Sequence, residues 1–93
     1  MAVKRRKKRM ANNENIIRLI GRIDTNNALE WEQKIKEQLN SDAENVFDAD
    51  ELEYISSAGL RVLMKIRKMI SGEMRIYNVS SEVYDIFDVT GFT

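Results

Sequence analysis

The fold is decided by the stretch DADELEYISSAGLRVL, residues 48–63. Residues 46–49 predict a short strand, and residues 52–55 continue an extended path. Leu60 then opens an aliphatic run that predicts a heavily buried helix. Two serines, Ser56 and Ser57, stand where the strand meets that helix. A strand that runs into a buried helix is typical of a parallel sheet whose strands are connected by crossover helices.

The rest of the chain repeats this alternation. A short β-branched run at residues 16–20 precedes an amphipathic helix from about Asn27 to Asn40, and Asn27 with Glu30 resembles a capping box. Residues 74–79 predict a third strand, followed by a third helix that a serine caps. We therefore predict an α/β fold, in which a small, mainly parallel or mixed β-sheet is covered by about three α-helices on right-handed crossovers.

The composition excludes several classes of enzyme. The chain has 93 residues, no cysteine and no histidine. One hydrophobic core is therefore expected, without the side chains of Ser-His-Asp, Cys-His or typical zinc sites. An enzyme would need a carboxylate pair such as Asp48 and Asp50, which regular strand spacing would place on one face, but a solvated or turn role is favoured for both. We expect a protein that is not an enzyme and needs no cofactor.

No segment of the sequence indicates a membrane span or export. No apolar run approaches the roughly 20 residues of a membrane-spanning helix, and the N-terminal segment lacks the apolar core of a secretory signal. We expect a cytoplasmic protein without a transmembrane segment.

Charge divides the chain into two parts. Six basic residues are clustered at 4–9, whereas the rest of the chain has nine Lys or Arg against fifteen Asp or Glu, a balance of −6. We predict a basic N-terminal segment at 1–14, either an edge strand or a disordered tail, followed by one domain at 15–93. The acidic body argues against direct DNA binding, and a basic arm for RNA or membrane lipid is the less favoured alternative.

The two serines before the second helix allow a structural and a functional interpretation. Serine is a common N-cap, and Ser57 could accept a hydrogen bond from the N–H of Gly59 or Leu60. A phosphate on Ser57 would be favourable at a helix N-terminus, yet at a partner's contact surface it would add about −1.5 to −2 charges. Residues 22–27 predict a turn. Loops at the carboxyl ends of parallel strands share one edge of the sheet, so Thr25 to Asn27 should open onto the same edge as the serines. The local residues alone favour the structural interpretation.

Two motifs about thirty residues apart resemble those of a known family. GRIDT at 21–25 and YISSAGL at 54–60, with the strand around 46–48 and the aliphatic helix that follows, resemble a STAS domain. The sequence is more closely similar to a small bacterial anti-sigma factor antagonist, also called an anti-anti-sigma factor. The resemblance covers roughly Asn15 to Thr93.

The resemblance implies a partner switch that regulates transcription. In this family the unmodified antagonist binds an anti-sigma factor that is also a serine kinase, and this binding releases the sigma factor. The kinase phosphorylates the serine at the start of the second helix, which weakens binding, and a serine phosphatase restores it. The matching phosphoacceptor here is Ser57, with Ser56 in reserve, and ATP and Mg²⁺ belong to the kinase.

The resemblance and the local sequence together predict a partner-binding surface on both loops and on the second helix. Its predicted residues are Asp24, Thr25, Asn26, Asn27, Ser56, Ala58, Gly59, Arg61 and Lys65. The small residues at 58–59 would let a partner or kinase approach the backbone. Arg61 is equally compatible with a solvated position.

The sequence departs from the family pattern at two places. Ser56 stands where the most familiar pattern has Asp immediately before the phosphoacceptor, which removes a negative charge and adds a competing hydroxyl. Family members usually continue past the Gly-Phe-Thr at 91–93, which leaves open a domain that lacks its C-terminal end or a naturally short third helix. The alternative function is a STAS-like interaction module of another bacterial assembly, without phosphorylation.

Overall fold

The computed structural model describes residues 2–5, 14–70 and 73–91 of the chain. Within these ranges, strands and helices alternate: β1 (Ala2–Val3), β2 (Glu14–Ile23), α1 (Ala28–Gln38), β3 (Glu44–Ile55), α2 (Ser57–Met69), β4 (Arg75–Tyr77) and α3 (Ser81–Val89). Most of the predicted basic N-terminal segment, residues 6–13, lies outside the described residues.

The described strands form one sheet in the order β1-β4-β3-β2, and every neighbouring pair is parallel. Helix α1 connects β2 to β3, α2 connects β3 to β4, and these two helices pack against each other. This arrangement confirms the predicted α/β fold. Strand β1 lies at one edge of the sheet, where the backbone N–H groups of Ala2 and Lys4 donate to the carbonyl groups of Met74 and Ile76, both at 2.8 Å.

Strands β2 and β3 are longer than the sequence pattern indicates. The sequence predicts a turn from Arg22 onward, but in the structure β2 continues through Ile23, which pairs with Ile55 at the end of β3. The two predicted extended pieces at 46–49 and 52–55 are parts of one strand. Both strands therefore end at the same level, which places the loops that follow them at one edge of the sheet.

A β-bulge in β3 changes which side chains share a face. Arg18 pairs with Asp48 and Ile20 pairs with Glu51, so one residue of β2 opposes two residues of β3. Asp48 is buried, whereas Asp50 is exposed. The predicted carboxylate pair on one face is therefore wrong, because the bulge breaks the two-residue period of the strand. Asp48 Oδ1 instead accepts a hydrogen bond from the backbone N–H of Asp50 at 3.0 Å.

The core lies between the sheet and its helices. Residues 45–49 of β3 are all buried, so both faces of this strand are covered. Helix α2 buries most of its aliphatic residues, as the sequence predicts, and Leu60 is only 3% exposed. Helix α3 packs against β3 and buries Val83 and Phe87. Burial of an apolar side chain such as Leu60 stabilises the fold by roughly 1.5–3 kcal/mol relative to its exposure. The buried Leu60 therefore holds the start of α2 in a fixed position.

Candidate functional site

The loops after β2 and β3 lie side by side at one edge of the sheet. Ile23 and Ile55 are register partners at the ends of these strands, and the backbone N–H of Ser56 donates to the Ile23 carbonyl at 2.8 Å. Residues 24–27 and the start of α2 therefore adjoin at the carboxyl edge, where open parallel sheets usually place their sites. The prediction that these two loops share an edge is confirmed.

The turn after β2 is braced by its own side chains. Asp24 Oδ1 accepts hydrogen bonds from the backbone N–H groups of Asn26 at 2.9 Å and Asn27 at 3.1 Å. Asn27 Oδ1 accepts from the backbone N–H of Asp24 at 2.8 Å, and its Nδ2 donates to the Arg22 carbonyl at 2.8 Å. Such Asx-type bonds hold a turn in one conformation. Thr25 and Asn26 are therefore exposed residues of a turn whose conformation is fixed by hydrogen bonds.

The predicted capping box at the start of α1 is wrong. Asn27 occupies the N-cap position, but its side chain makes no cap hydrogen bond. The reason is that both polar atoms of this side chain are engaged in the turn, where they bond Asp24 and Arg22. Glu30 remains the acidic residue of the first helical turn, where its charge complements the helix dipole.

The two serines before α2 differ in position: Ser56 has a structural role, and Ser57 is exposed. Ser56 is the N-cap of α2: its Oγ accepts a hydrogen bond from the Gly59 N–H at 3.2 Å, and the residue is half-buried. Ser57 is the first helical residue and is exposed, and within the described ranges no hydrogen bond engages its hydroxyl. The interpretation of Ser57 as the cap is therefore wrong, because the capping side chain belongs to the residue before the helix. The Ser57 hydroxyl is the accessible one of the pair.

Gly59 packs against the protein's own strands. The residue is buried, and a Cβ atom built on it would lie 2.7 Å from Ile55 Cγ1 and 2.8 Å from Ile23 Cγ2. A side chain at this position would push α2 away from the ends of β2 and β3. The missing side chain of Gly59 therefore serves the approach of the helix to the sheet, and the role of Gly59 as a partner contact stays a prediction. Ala58 is half-buried and packs against the core.

The outward face of α2 carries positive charge. Arg61 and Lys65 are exposed, and so are Met64 and Lys68. Lys65 Nζ lies 3.5 Å from Glu32 Oε1 of α1, whereas Arg61 forms no ion pair with any other described residue. The aliphatic run that begins at Leu60 indicates burial for Met64, which is wrong, because Met64 keeps 40% of its surface accessible. Lys68 is not among the predicted site residues. The helical period could have found them, because residues three, four and seven positions apart recur on one face of a helix.

Glu32 connects α1 to α2 through an ion pair. Its carboxylate lies 2.8 Å from Lys36 Nζ and 3.5 Å from Lys65 Nζ. The hydrogen bond from Lys36 lowers the pKa of Glu32, with a further contribution from Lys65 and against an opposing effect of desolvation. Lys65 is therefore engaged within the protein, and Arg61 is the more available cation near Ser57.

The two adjoining loops and α2 form a continuous surface on which two hydroxyl-bearing residues, Thr25 and Ser57, are exposed. Within residues 2–5, 14–70 and 73–91, no group of three or more acidic side chains is arranged to hold a metal ion. In the same part of the chain, no helix has both the length and the apolar character needed to cross a membrane.

Comparisons with known proteins agree with this fold. Residues 6–93 match the family described as STAS domain, which is nearly the whole chain. A protein of Bordetella bronchiseptica strain RB50, named "Putative anti-sigma factor antagonist BtrV", is 32% identical over 78 residues, which cover 80% of this chain and 67% of the relative. The chain belongs to the STAS domain family.

Proposed function

We propose that this chain is a cytoplasmic anti-sigma factor antagonist whose binding to an anti-sigma factor is switched off by phosphorylation of Ser57. One observation carries the proposal: Ser57 is exposed at the first residue of α2, directly beside the braced turn at 24–27. Membership of the STAS family and similarity to a protein named an antagonist support this choice of partner. In this role the chain is the substrate of a serine kinase and not itself an enzyme, and it regulates sigma-factor-dependent transcription.

A phosphate on Ser57 leaves the fold intact. The cap hydrogen bond to Gly59 belongs to Ser56, so the added group displaces no bond that starts the helix. The first turn of α2 contains no acidic residue. An anion at a helix N-terminus is stabilised by about 0.3–1 kcal/mol, so the phosphorylated chain keeps its structure.

The same phosphate opposes docking. A partner that covers Ser57 also covers Thr25 and Asn26, because these exposed residues share one edge of the sheet. The phosphate brings about −1.5 to −2 charges into that contact. An interface charge that is desolvated without a matching cation on the partner costs several kcal/mol. The unmodified chain therefore binds, the phosphorylated chain does not, and a serine phosphatase restores binding.

Binding measurements with purified proteins test this function. The anti-sigma factors encoded by the source genome are assayed one at a time with the full chain, in the presence of Mg²⁺ and a non-hydrolysable ATP analogue, so that Ser57 stays unmodified during the measurement. Wild type and Ser57→Ala should bind one of them, whereas Ser57→Asp should bind about 100-fold more weakly, a difference of about 2.7 kcal/mol.

Ser81→Asp is the matched control for Ser57→Asp. Ser81 is also the exposed first residue of a helix, and the preceding Ser80 caps that helix. The control variant should bind like wild type. Equal affinities for wild type and Ser57→Asp would contradict the switch, and binding to none of the anti-sigma factors would favour a STAS module of another assembly.

A further inference from the structure

The outward face of α2 extends the candidate surface away from Ser57. Arg61, Met64 and Lys68 follow Ser57 by four, seven and eleven residues, so all four lie along one side of the helix. All four residues are exposed, and Met64 keeps 40% of its surface accessible. We refer to Arg61, Met64 and Lys68 as the α2 stripe.

The charge of α2 contrasts with that of the rest of the domain. Helix α2 has four basic residues and no acidic one, whereas α3 has three acidic residues and no basic one. All residues outside the basic run at 4–9, those of α2 included, have a combined net charge of −6. Lys65 is paired with Glu32, but neither Arg61 nor Lys68 forms an ion pair with another described residue. A face with available cations on an otherwise acidic body selects an acidic partner surface.

An exposed methionine between two cations favours a protein as this partner. Met64 offers a flexible apolar contact, which protein interfaces commonly use. A nucleic acid would instead require several cations in contact with successive phosphates, and the acidic residues of the body would repel it. The α2 stripe also continues directly from Ser57, which is the centre of the proposed docking surface.

We propose that the α2 stripe docks onto an acidic face of the anti-sigma factor, and that a phosphate on Ser57 withdraws Arg61 from this contact. This inference rests on the proposed function. It adds that the partner's surface is acidic and that Arg61 takes part in the switch together with Ser57.

The phosphate and Arg61 can meet on the helix itself. Side chains at positions i and i+4 have Cβ atoms about 5–6 Å apart, and a guanidinium binds a phosphate through two parallel hydrogen bonds. When Ser57 is unmodified, Arg61 is free to contact the partner. When Ser57 is phosphorylated, Arg61 is held by its own helix. One modification thus adds a dianion to the docking surface and removes a cation from it.

Charge reversal tests the stripe against a matched control. Arg61→Glu, Lys68→Glu and Arg67→Glu make the same change of net charge, but Arg67 lies about 100° around the helix from Lys68. Binding to the anti-sigma factor should weaken about 30-fold for Arg61→Glu and about 10-fold for Lys68→Glu, with at most a 2-fold change for Arg67→Glu. Equal losses for Arg61→Glu and Arg67→Glu would overturn the stripe.

A second measurement needs no partner. The chain with phosphoserine incorporated at position 57 is titrated by ³¹P NMR, with and without Arg61→Gln. The second pKa of phosphoserine is about 6, and it should be lower with Arg61 present, because a nearby guanidinium favours the dianion. Identical titrations of the two proteins would show that Arg61 does not hold the phosphate, which would overturn the withdrawal step.

The outcomes separate this inference from the proposed function. Loss of binding by Ser57→Asp, together with equal effects of Arg61→Glu and Arg67→Glu, would reject the stripe and retain the switch. Unchanged binding by Ser57→Asp would reject the switch itself. Sedimentation of the chain without the anti-sigma factor tests whether a second copy of the chain binds the α2 stripe instead. If the chain self-associates and Arg61→Glu abolishes this self-association, the assignment of the stripe to an anti-sigma factor is overturned.

Discussion

Helices α2 and α3 begin in the same way. Each follows a parallel strand, and in each a serine, Ser56 or Ser80, accepts a hydrogen bond at 3.2 Å from the N–H three residues later. Each cap is followed by an exposed serine, Ser57 or Ser81, at the first helical position. The geometry of a serine pair at a helix start therefore occurs twice in this chain, so this geometry alone does not distinguish a switch from a structural cap.

The surroundings of the two exposed serines differ. Ser81 Oγ accepts a hydrogen bond from Arg5 Nη2 at 2.8 Å, and Glu82 already places negative charge in the first turn of α3. No residue in the described part of the chain donates to the Ser57 hydroxyl, the first turn of α2 has no acidic residue, and Ser57 adjoins the turn after β2. Under the proposed function, an unoccupied hydroxyl and a helix N-terminus without a resident carboxylate are what distinguish Ser57 from Ser81.

The largest expected difference between the two helix starts is that Ser57 is phosphorylated and Ser81 is not. After incubation with the kinase that binds the chain and with ATP, wild type and Ser81→Ala should each gain one phosphate, whereas Ser57→Ala should gain none. The physical reason is that the Ser57 hydroxyl is exposed and unbonded, while the Ser56 and Ser81 hydroxyls are already hydrogen-bonded. Intact mass and peptide mapping measure the outcome. A phosphate on Ser81 of the wild-type chain would remove the distinction between the two helix starts.

The next effect concerns how closely each helix approaches the sheet. Gly59→Ala should lower the free energy of unfolding by about 1–3 kcal/mol, because the new Cβ would meet Ile55 and Ile23 in a packed contact. Ser57→Ala, an exposed change two residues away, should alter it by no more than about 0.5 kcal/mol. Urea denaturation followed by circular dichroism compares the two variants. Equal free energies of unfolding for Gly59→Ala and Ser57→Ala would mean that α2 can shift away from the sheet at little cost. Helix α3 already carries a side chain, Val83, at the position that corresponds to Gly59.

Removal of the two caps should have similar, smaller effects. Ser56→Ala and Ser80→Ala should each lower the free energy of unfolding by about 1 kcal/mol, because each leaves one N–H of the first helical turn without its partner. The same denaturation assay measures both. A negligible cost for Ser56→Ala beside a normal cost for Ser80→Ala would contradict the assignment of Ser56 as the cap.

The smallest effect concerns the ion pair that joins α2 to α1. Because Lys36 and Lys65 lower the pKa of Glu32 in the folded state, the pair stabilises the fold above the ordinary pKa of 4.5, and this contribution is lost as the pH falls through the lowered value. The stability difference between wild type and Glu32→Gln should therefore shrink as the solution is acidified from pH 7.

Glu37→Gln provides the control for this titration. Glu37 is an exposed acidic residue of the same helix, and it forms no ion pair with another described residue. Its substitution should change stability less than Glu32→Gln at neutral pH, because it removes the same charge from α1 without breaking the ion pair to Lys65. An equal pH response of the two variants would show that Glu32 does not connect the helices in solution.

From β2 to α3, the local sequence alone was sufficient for the order of strands and helices and for the location of the loops that follow β2 and β3, whereas it left the N-terminal segment open between an edge strand and a tail. Periods of two and about 3.6 residues are properties of neighbouring side chains, so they can be recognised without knowledge of the fold. The Ser56-Ser57 pair before an aliphatic run likewise marks the start of a helix. The resemblance to the STAS family rested on such contiguous motifs.

Only the tertiary structure decided the roles of the individual residues at the site. The bulge that separates Asp48 from Asp50 depends on the register between β2 and β3, and the burial of Gly59 depends on the ends of both strands. The side chain of Asn27 braces a turn because Arg22 and Asp24 lie within hydrogen-bonding distance. These contacts join segments whose relative positions are set by packing and strand pairing, and no local pattern contains that information.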